Sequence, residues 1–416
     1  MKMLLVLKMH CQRKVEYRLY PRTVAGLELA RMADTCRQVY NWALEQRIAH
    51  YQTTKKSLTF AAQCRALTQE RKLRAAWAAV HTHALQLTLK RLDLAFGAFF
   101  RRIKKGETPG FPRFKSSRRF SGFGFKEHGN GWRLHSDGRS VRITGIGKLK
   151  LRGQARFAGG LPKTAEVVCR ADRWYLSVTY RLEQLPARER AGVALSGLDW
   201  GVETFATIAN ADGSDECIEN PRHLKKQLET LAQLQQSLAR KTKGSKRWWL
   251  VKRAVVRLHD KVRRQRQNFL HQTTARLAAT RRAIGVELLS PLAMTASGGQ
   301  TKQGLNREIL AAAAGAFHQM LRYKAEEAGC AIIEVDPRKH RPSQTCSGGG
   351  PARQKSLSER THILPDGSVI TRDLNSARNL LNIVLGCEAQ WGGNLPQHSG
   401  PKTASDTGCE TSSIAA

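Results

Sequence analysis

GLDWGVETFATIANADG, Gly197 to Gly213, constrains the fold more than any other stretch of this chain. An apolar run, a turn and a second apolar run ending in Asn210-Ala211-Asp212-Gly213 read as a strand, a turn and another strand. Asp199 interrupts the first of them. Further on, AIGVELL (Ala283–Leu289) reads as a short buried strand carrying Glu287, and AIIEVDP as one more. Helical patterns lie between and after these strands. Leu224, Leu228, Leu231, Leu234 and Leu238 mark one helix, and KTKGSKR joins it as a hairpin to a basic helix from about Ser245 to Ala279. Asn306 to Gly329 reads as a helix, and RDLNSARNLLNIVL opens the last. Strands spaced by helices of this length predict an α/β layer, a sheet covered by helices.

The first half of the chain has a different texture. Residues 1–22 alternate apolar and polar, in LLVLKM and then VEYRLYP, and predict a strand. From Val24 to about Lys105 the period turns helical. Leu85, Leu89, Leu92, Phe96 and Phe99 form one face, with Lys90, Arg91, Arg101 and Arg102 on the other. GETPGFPRFKSSRR (Gly106–Arg119) breaks that helix with Gly and Pro. Phe120 to Leu182 is strand-like, and AEVVCRADRWYLSVTY predicts a hairpin turning near Ala171–Arg173. Beyond Gly386 the chain is rich in Gly, Ser, Thr and Pro and predicts a disordered tail.

Charge narrows the partners. Lys and Arg total 70 against 33 Asp and Glu, a formal net charge of +37. Such an excess repels itself in a compact state unless a polyanion neutralises it, so nucleic acid is the expected partner. The basic residues are spread along the chain and not gathered into one amphipathic helix, which argues against a membrane surface. No apolar run reaches the roughly 18–20 residues of a membrane span. MKMLLVLKMHCQRK has no small-residue cleavage site, and the 9 cysteines form no CxxC pair, a pattern that predicts reduced thiols in a cytosol.

In so basic a chain, three carboxylates stand out by position. Asp199 lies within an apolar strand, Glu287 ends another, and Asp373 opens the last helix. A rigid backbone aims each of them. Together they suit Mg²⁺, which prefers oxygen ligands, and two such ions about 3.5–4 Å apart activate water and steady the leaving oxygen of a phosphodiester. Singly, each also reads as a buried or capping carboxylate, with Asp373 a plausible N-cap. The order of strands and helices fits an RNase H-like sheet.

The stretches QVYNWAL, GFPRF, GLDWGVETFATIANADG, GVELLSPLAM, MLRYKAEEAG, VDPRKHRPSQTCS and RDLNSARNLLN resemble, in order, those of the TnpB family, transposon-encoded RNA-guided nucleases related to small type V CRISPR effectors. The likeness runs to about Leu385. It implies a RuvC-like nuclease domain over 191–385 with Asp199, Glu287 and Asp373 as its Mg²⁺ ligands. It implies a wedge-type oligonucleotide-binding barrel from residues 1–22 and 116–190, a helical recognition lobe over 23–115, and a tail over 386–416. The family's glutamate is usually followed by Asp or Asn where Leu288 stands here, and its last motif often reads Asp-Arg-Asp where Thr371 takes the first place. Neither change removes a metal ligand.

The resemblance also implies a guide RNA and a double-stranded target DNA as partners, with pairing reading the target and the protein reading a short flanking motif. Tyr51, His83 and Gln86 are candidates for that readout, since Gln pairs with an adenine edge and Tyr stacks or donates. The alternative for Tyr51 and His83 is packing within the helices. Arg113, Lys115, Arg118 and Arg119, interleaved with Phe111 and Phe114, suit phosphates plus stacking. The basic stretch Lys241–Arg247 reads equally as a solvated face.

In this family SQTCS starts a zinc knuckle, which here spans 343–371. Structural zinc needs about four Cys or His ligands. Cys346 has Gly349 where its partner belongs, the second pair falls near Leu364 and Asp366–Gly367, and only His362 offers a nearby nitrogen. The structural zinc is expected to be lost and Cys346 to be a remnant. Two further functions fit the same residues: a type V effector with a CRISPR-derived guide, and a guided DNA-binding repressor that does not cut. A strand-transfer transposase lacks support, because no tyrosine or His-hydrophobe-His nucleophile motif stands out.

Overall fold

The computed structural model describes residues 11–117, 119–120, 122–152, 160–182, 194–296, 299, 302–349, 353–356 and 359–390. Arg118, residues 1–10 and residues 391–416 of the expected tail lie outside them. The described chain forms two compact units, 11–182 and 194–390.

In the first unit β1 (Cys11–Tyr20) is followed by α1 (Thr23–Thr54), α2 (Phe60–Leu73), α3 (Ala75–Ala78) and α4 (Thr82–Lys104). Then come β2 (Gly122–Phe125), β3 (Trp132–Leu134), β4 (Ser140–Ile143), β5 (Gly147–Arg152), β6 (Leu161–Arg170) and β7 (Arg173–Leu182). The strands form one antiparallel sheet in the order β2-β6-β7-β1-β5-β4-β3. The first strand is central. It pairs with β7 from Cys11↔Leu182 to Arg18↔Tyr175 and with β5 from Arg18↔Arg152 to Tyr20↔Lys150. Sequence distant by the whole helical insert is thus stitched into one sheet. Where a barrel is expected, the described residues form an open sheet with β2 and β3 at its edges. The β6–β7 hairpin turns on Ala171 and Asp172, at φ 48° and 61°, the two left-handed positions that match the twist of a tight hairpin.

The helices share the core of that sheet. Leu29, Val39 and Leu44 of α1 and Leu85, Leu89 and Leu92 of α4 are buried with Phe123, Phe125, Val167, Leu176 and Val178. Arg91, on the face opposite those leucines, is only partly solvated. It donates to the Gly122 carbonyl at 2.8 Å and to Glu166 at 3.3 Å, fastening α4 to the β2 edge. Arg47 is 7% exposed and donates to Gln63 Oε1 at 2.7 Å and Asp93 Oδ1 at 3.1 Å, with its guanidinium 5.0 Å from the Phe96 ring centroid. Arg47→Met keeps the stem and strands the buried Gln63 oxygen. It is expected to cost about 1–3 kcal/mol, the range for an unsatisfied buried polar group, read as a lowered urea midpoint.

In the second unit come β8 (Ala194–Trp200), β9 (Thr204–Asn210), β10 (Asp215–Glu219), α5 (Leu228–Ala239), α6 (Lys246–Thr280) and β11 (Arg281–Glu287). After them follow α7 (Pro291–Thr295), α8 (Gln303–Ala312), α9 (Ala314–Ala328), β12 (Ala331–Val335), α10 (Pro337–His340), β13 (Thr361–Ile363), β14 (Val369–Thr371) and α11 (Arg372–Gln390). The sheet order is β10-β9-β8-β11-β12, antiparallel across β10, β9 and β8 and parallel across β8, β11 and β12. One face carries Leu198, Ile284 and Val286 against Leu270 and Leu277 of α6 and Phe317 and Leu321 of α9. The other carries Leu195 and Ala283 against Ala377, Leu381 and Val384 of α11. The helix expected from Asn306 to Gly329 is in fact two, broken at Ala313, whose φ of 56° is left-handed. Nothing in the alanine run around it marks the break. The last helix continues past Gly386 to Gln390.

Candidate functional site

The second unit gathers acidic side chains at one end of its sheet. Strands β8 and β11 are parallel, with Gly197 opposite Gly285 and Leu198 opposite Val286. Asp199 and Glu287 are the next residues of each strand. The period of two puts Gly197 and Asp199 on one face, and Gly285 and Glu287 beside them on the same face. This is the face that α11 covers. The glycines decide how closely. A Cβ on Gly197 would stand 2.0 Å from the Ala377 carbonyl oxygen and 2.3 Å from the Leu381 nitrogen, and one on Gly285 would stand 2.7 Å from the Leu380 oxygen. With no side chains there, α11 lies directly on the strand backbones, and its first turns reach the carboxylates.

Ser376 Oγ donates to Asp199 Oδ1 at 3.1 Å. Asp373 is in the first turn of α11, one turn before Ser376. The N-cap reading of Asp373 is not met, because the Thr371 hydroxyl accepts the Leu374 N–H at 3.2 Å and leaves the Asp373 carboxylate free of that duty. Burial, and then the negative charges of Glu287 and Asp373, push the Asp199 carboxyl well above its usual range, while Ser376 and Arg372 pull it back. Burial raises Glu287 as well, with Arg372 opposing. The carboxylates are therefore near enough to repel one another. They do not form a finished cage, since among the described residues no group of three or more His, Cys, Asp and Glu is drawn together around one point.

Arg372 links this cluster to the loop that precedes it. Its guanidinium donates to the Ser356 carbonyl at 2.8 Å and to Ser343 Oγ at 3.4 Å. Asn375 receives the Ser347 N–H at 2.9 Å and donates to the Thr345 carbonyl at 2.7 Å, and Asn379 donates to the Pro342 carbonyl at 2.8 Å. The stretch around Cys346 is thus bound to α11 by amide side chains.

The candidates for base and phosphate contact lie in the first unit. Tyr51 is exposed in the last turns of α1. His83 and Gln86 belong to the start of α4, where Gln86 Oε1 accepts from Lys126 at 2.8 Å and His83 meets the His81 ring edge-on at 4.9 Å between centroids. His81 in turn bonds Asn130 at 3.0 Å. Burial, and then the charges of His81 and Lys126, hold the His83 imidazole below its usual value. Arg113 and Arg119 are exposed, as are Phe111 and Phe114. Phe111 is wedged edge-on against Phe96 and Phe99 at 5.6 and 5.5 Å. Lys115 is pinned through its backbone to Asn41, which accepts from its N–H at 2.8 Å. Of the basic stretch, Lys243, which precedes α6, and Lys246 and Arg247, which open it, are exposed.

Sequence reasoning missed Ser376, Arg372, Gly197 and Gly285 as parts of the site. The repeated Gly-x-acid of GLD and GVE and the spacing of three from Asp373 to Ser376 were the signals available.

Known proteins resemble the chain along most of its length. A family described as "Probable transposase" matches residues 177–297, which carry Asp199 and Glu287. A "Cas12f1-like, TNB domain" matches 315–380, which carry Asp373 and the Cys346 loop. A "Helix-turn-helix domain" matches 9–56, whose described residues carry β1 and the single long helix α1. A "Putative RNA-guided DNA endonuclease" of Streptomyces pristinaespiralis is 29% identical over 398 residues, covering 94% of each chain. InsQ of Escherichia coli, with the same description, is 28% identical and covers 89% of this chain and 93% of its own. The chain in the "Cryo-EM structure of the Cas12f1-sgRNA-target DNA complex" superposes with a TM-score of 0.51 over 87% of this chain and 83% of that one, at 13% identity. The fold is therefore of the Cas12f1 kind. The chain belongs to the OrfB transposase family, that of the TnpB proteins.

Proposed function

We propose that this protein is an RNA-guided DNA endonuclease of the TnpB type, with an RNase H-like nuclease in the unit 194–390 and Asp199, Glu287 and Asp373 as its catalytic carboxylates. The observation that carries the reading is the placement of Asp199 and Glu287 on adjacent parallel strands beneath the first turns of α11, where Asp373 lies. Evolution of a basic chain toward buried, mutually repelling carboxylates needs a purpose, because their charge raises the free energy of the fold. A divalent cation would relieve it. The donors fit magnesium, which takes oxygen ligands, keeps several waters and commonly binds through one or two carboxylates plus substrate phosphates, so a complete protein cage is not required. When bound, magnesium would supply Lewis acidity and a polarised water for phosphodiester hydrolysis. The protein's own part is to hold the carboxylates in place, with Ser376 fixing the Asp199 oxygen that it touches.

The guide and target are read elsewhere. In this proposal residues 11–22 and 116–182 act as the wedge and the helices over 23–115 as the recognition element. His83 and Gln86, beside Lys126, and Tyr51 address the flanking motif. Arg113, Lys115 and Arg119, with the half-exposed Phe111 and Phe114, hold the sugar-phosphate backbone. Among the described residues no helix is long and apolar enough to cross a membrane. The proposed RNA and DNA partners, not that absence, favour the cytosol in this reading.

The protein is expected to purify with a structured RNA that survives a high-salt wash, as the formal charge of +37 and the family require. Absorbance ratios and sequencing of the bound nucleic acid test this. A protein that purifies free of RNA and cuts no DNA with any RNA from its own locus is not guided.

A further inference from the structure

The loop around Cys346 is built about a lysine. Lys355 has a side chain only 4% exposed. Its ammonium donates to the Thr361 carbonyl at 2.8 Å and meets His362 Nδ1 at 2.6 Å, and the Glu359 carboxylate lies 3.7 Å away. An ammonium has three donors and no acceptor, so two of them make hydrogen bonds here and the Glu359 carboxylate balances the charge as an ion pair. A buried charge is tolerable only when it is satisfied in this way. Cys346, Gly349, Lys355, Glu359, His362 and Leu364 line one cavity of about 460 Å³.

That donor set does not fit structural zinc, which takes about four Cys or His ligands in a tetrahedron. Gly349 and Leu364 have no ligand atom to give. His362 Nδ1, the one imidazole lone pair turned toward Lys355, is already in use. The ammonium would also repel a dication. Burial, and then the charge of Lys355, hold the His362 imidazole neutral, the form that accepts from a lysine.

We propose that the Lys355 ammonium is the cross-link of this loop, taking the place that a metal holds in a four-ligand knuckle. One cation draws an imidazole, a carbonyl and a carboxylate together, and the aliphatic stem fills space beside them. Lys355 is thereby tied to Thr361 and His362 of β13. Ser356, next to Lys355, presents the carbonyl that receives Arg372, the neighbour of Asp373. Lys355 is a positioning residue: it acts on the acidic cluster through Ser356 and Arg372. This holds whether or not the carboxylates cut DNA, because its consequences are read in the loop itself.

The test uses the full-length protein. Wild type should contain far less than one zinc per chain, and 1,10-phenanthroline should leave amide exchange in the loop unchanged. Nitrogen NMR should find His362 Nδ1 unprotonated and hydrogen-bonded. In Lys355→Met, exchange at the Arg353, Leu364 and Arg372 amides should quicken about tenfold or more, as expected when a local closure is lost. The Ile284 and Leu176 amides should not change, and the His362 titration midpoint should rise as burial and the Lys355 charge are both relieved. Cys346→Ser should behave as wild type. Stoichiometric zinc, loosening of the loop by the chelator, a protonated His362 Nδ1, or unchanged exchange in Lys355→Met would each overturn the proposal. The zinc, chelator and tautomer measurements decide it on wild type even if Lys355→Met does not fold.

Discussion

Asp199→Ala is expected to reduce cleavage of guided target DNA at least about a thousandfold while leaving guided binding of that DNA intact. Removing a ligand from a metal-assisted hydrolysis forfeits several kcal/mol of transition-state stabilisation, and each 1.36 kcal/mol is a factor of ten. Binding is expected to survive because Asp199 carries negative charge and offers phosphates nothing. Stability separates this from misfolding. Asp199 is held against burial and the charges of Glu287 and Asp373, so alanine removes an unfavourable charge and the variant should melt no lower than wild type. Glu287→Ala and Asp373→Ala should lose cleavage likewise. Gel shift, cleavage and thermal melting measured side by side decide the matter. Normal cutting by any one of the variants would remove that residue from the assignment.

What the sequence disclosed about this site was its strand-borne part. Asp199 and Glu287 sit in short apolar runs whose extent set both strands to within three residues, and parallel pairing then follows from the long helix between them. The position of Asp373 was legible as a helix start, but its freedom from capping was not, since Thr371 could be recognised as the cap only from geometry. The Lys355 cross-link was invisible for a related reason. A lysine in a stretch of Gly, Ser and Arg reads as solvated, and its burial depends on Thr361 and His362 returning to it along β13. The loss of zinc ligands at Gly349 and Leu364, by contrast, could be read directly. In the first unit, the alternation of β1 announced a strand but not its central place between β5 and β7, which depends on pairing over more than a hundred residues. The break at Ala313 is likewise tertiary, because alanine is the best helix former and has no local reason to turn left-handed.

The same reasoning singles out Gly197, which sequence alone would assign to strand weakness. Gly197→Ala adds one methyl group, and that methyl would stand 2.0 Å from the Ala377 oxygen and 2.3 Å from the Leu381 nitrogen. Both are helix backbone, so no rotamer change can make room. Helix α11 must lift or slide on β8, and the penalty for overpacking of this kind is about 1–3 kcal/mol or more. Function should suffer beyond stability. Asp373 and Ser376 ride on the first turns of α11, and a misplacement of about 1 Å costs on the order of a hundredfold in rate. Gly386→Ala, in the same helix, is the control, since its Cβ would meet nothing within 4 Å and alanine favours a helix by about 0.5–1 kcal/mol over glycine. Gly197→Ala is therefore expected to melt lower and cut at least about a hundredfold more slowly at a temperature where it remains folded, and Gly386→Ala to melt no lower and cut as wild type does. If Gly197→Ala retains full activity and stability, then the close seating of α11 on β8 is not what aligns the carboxylates.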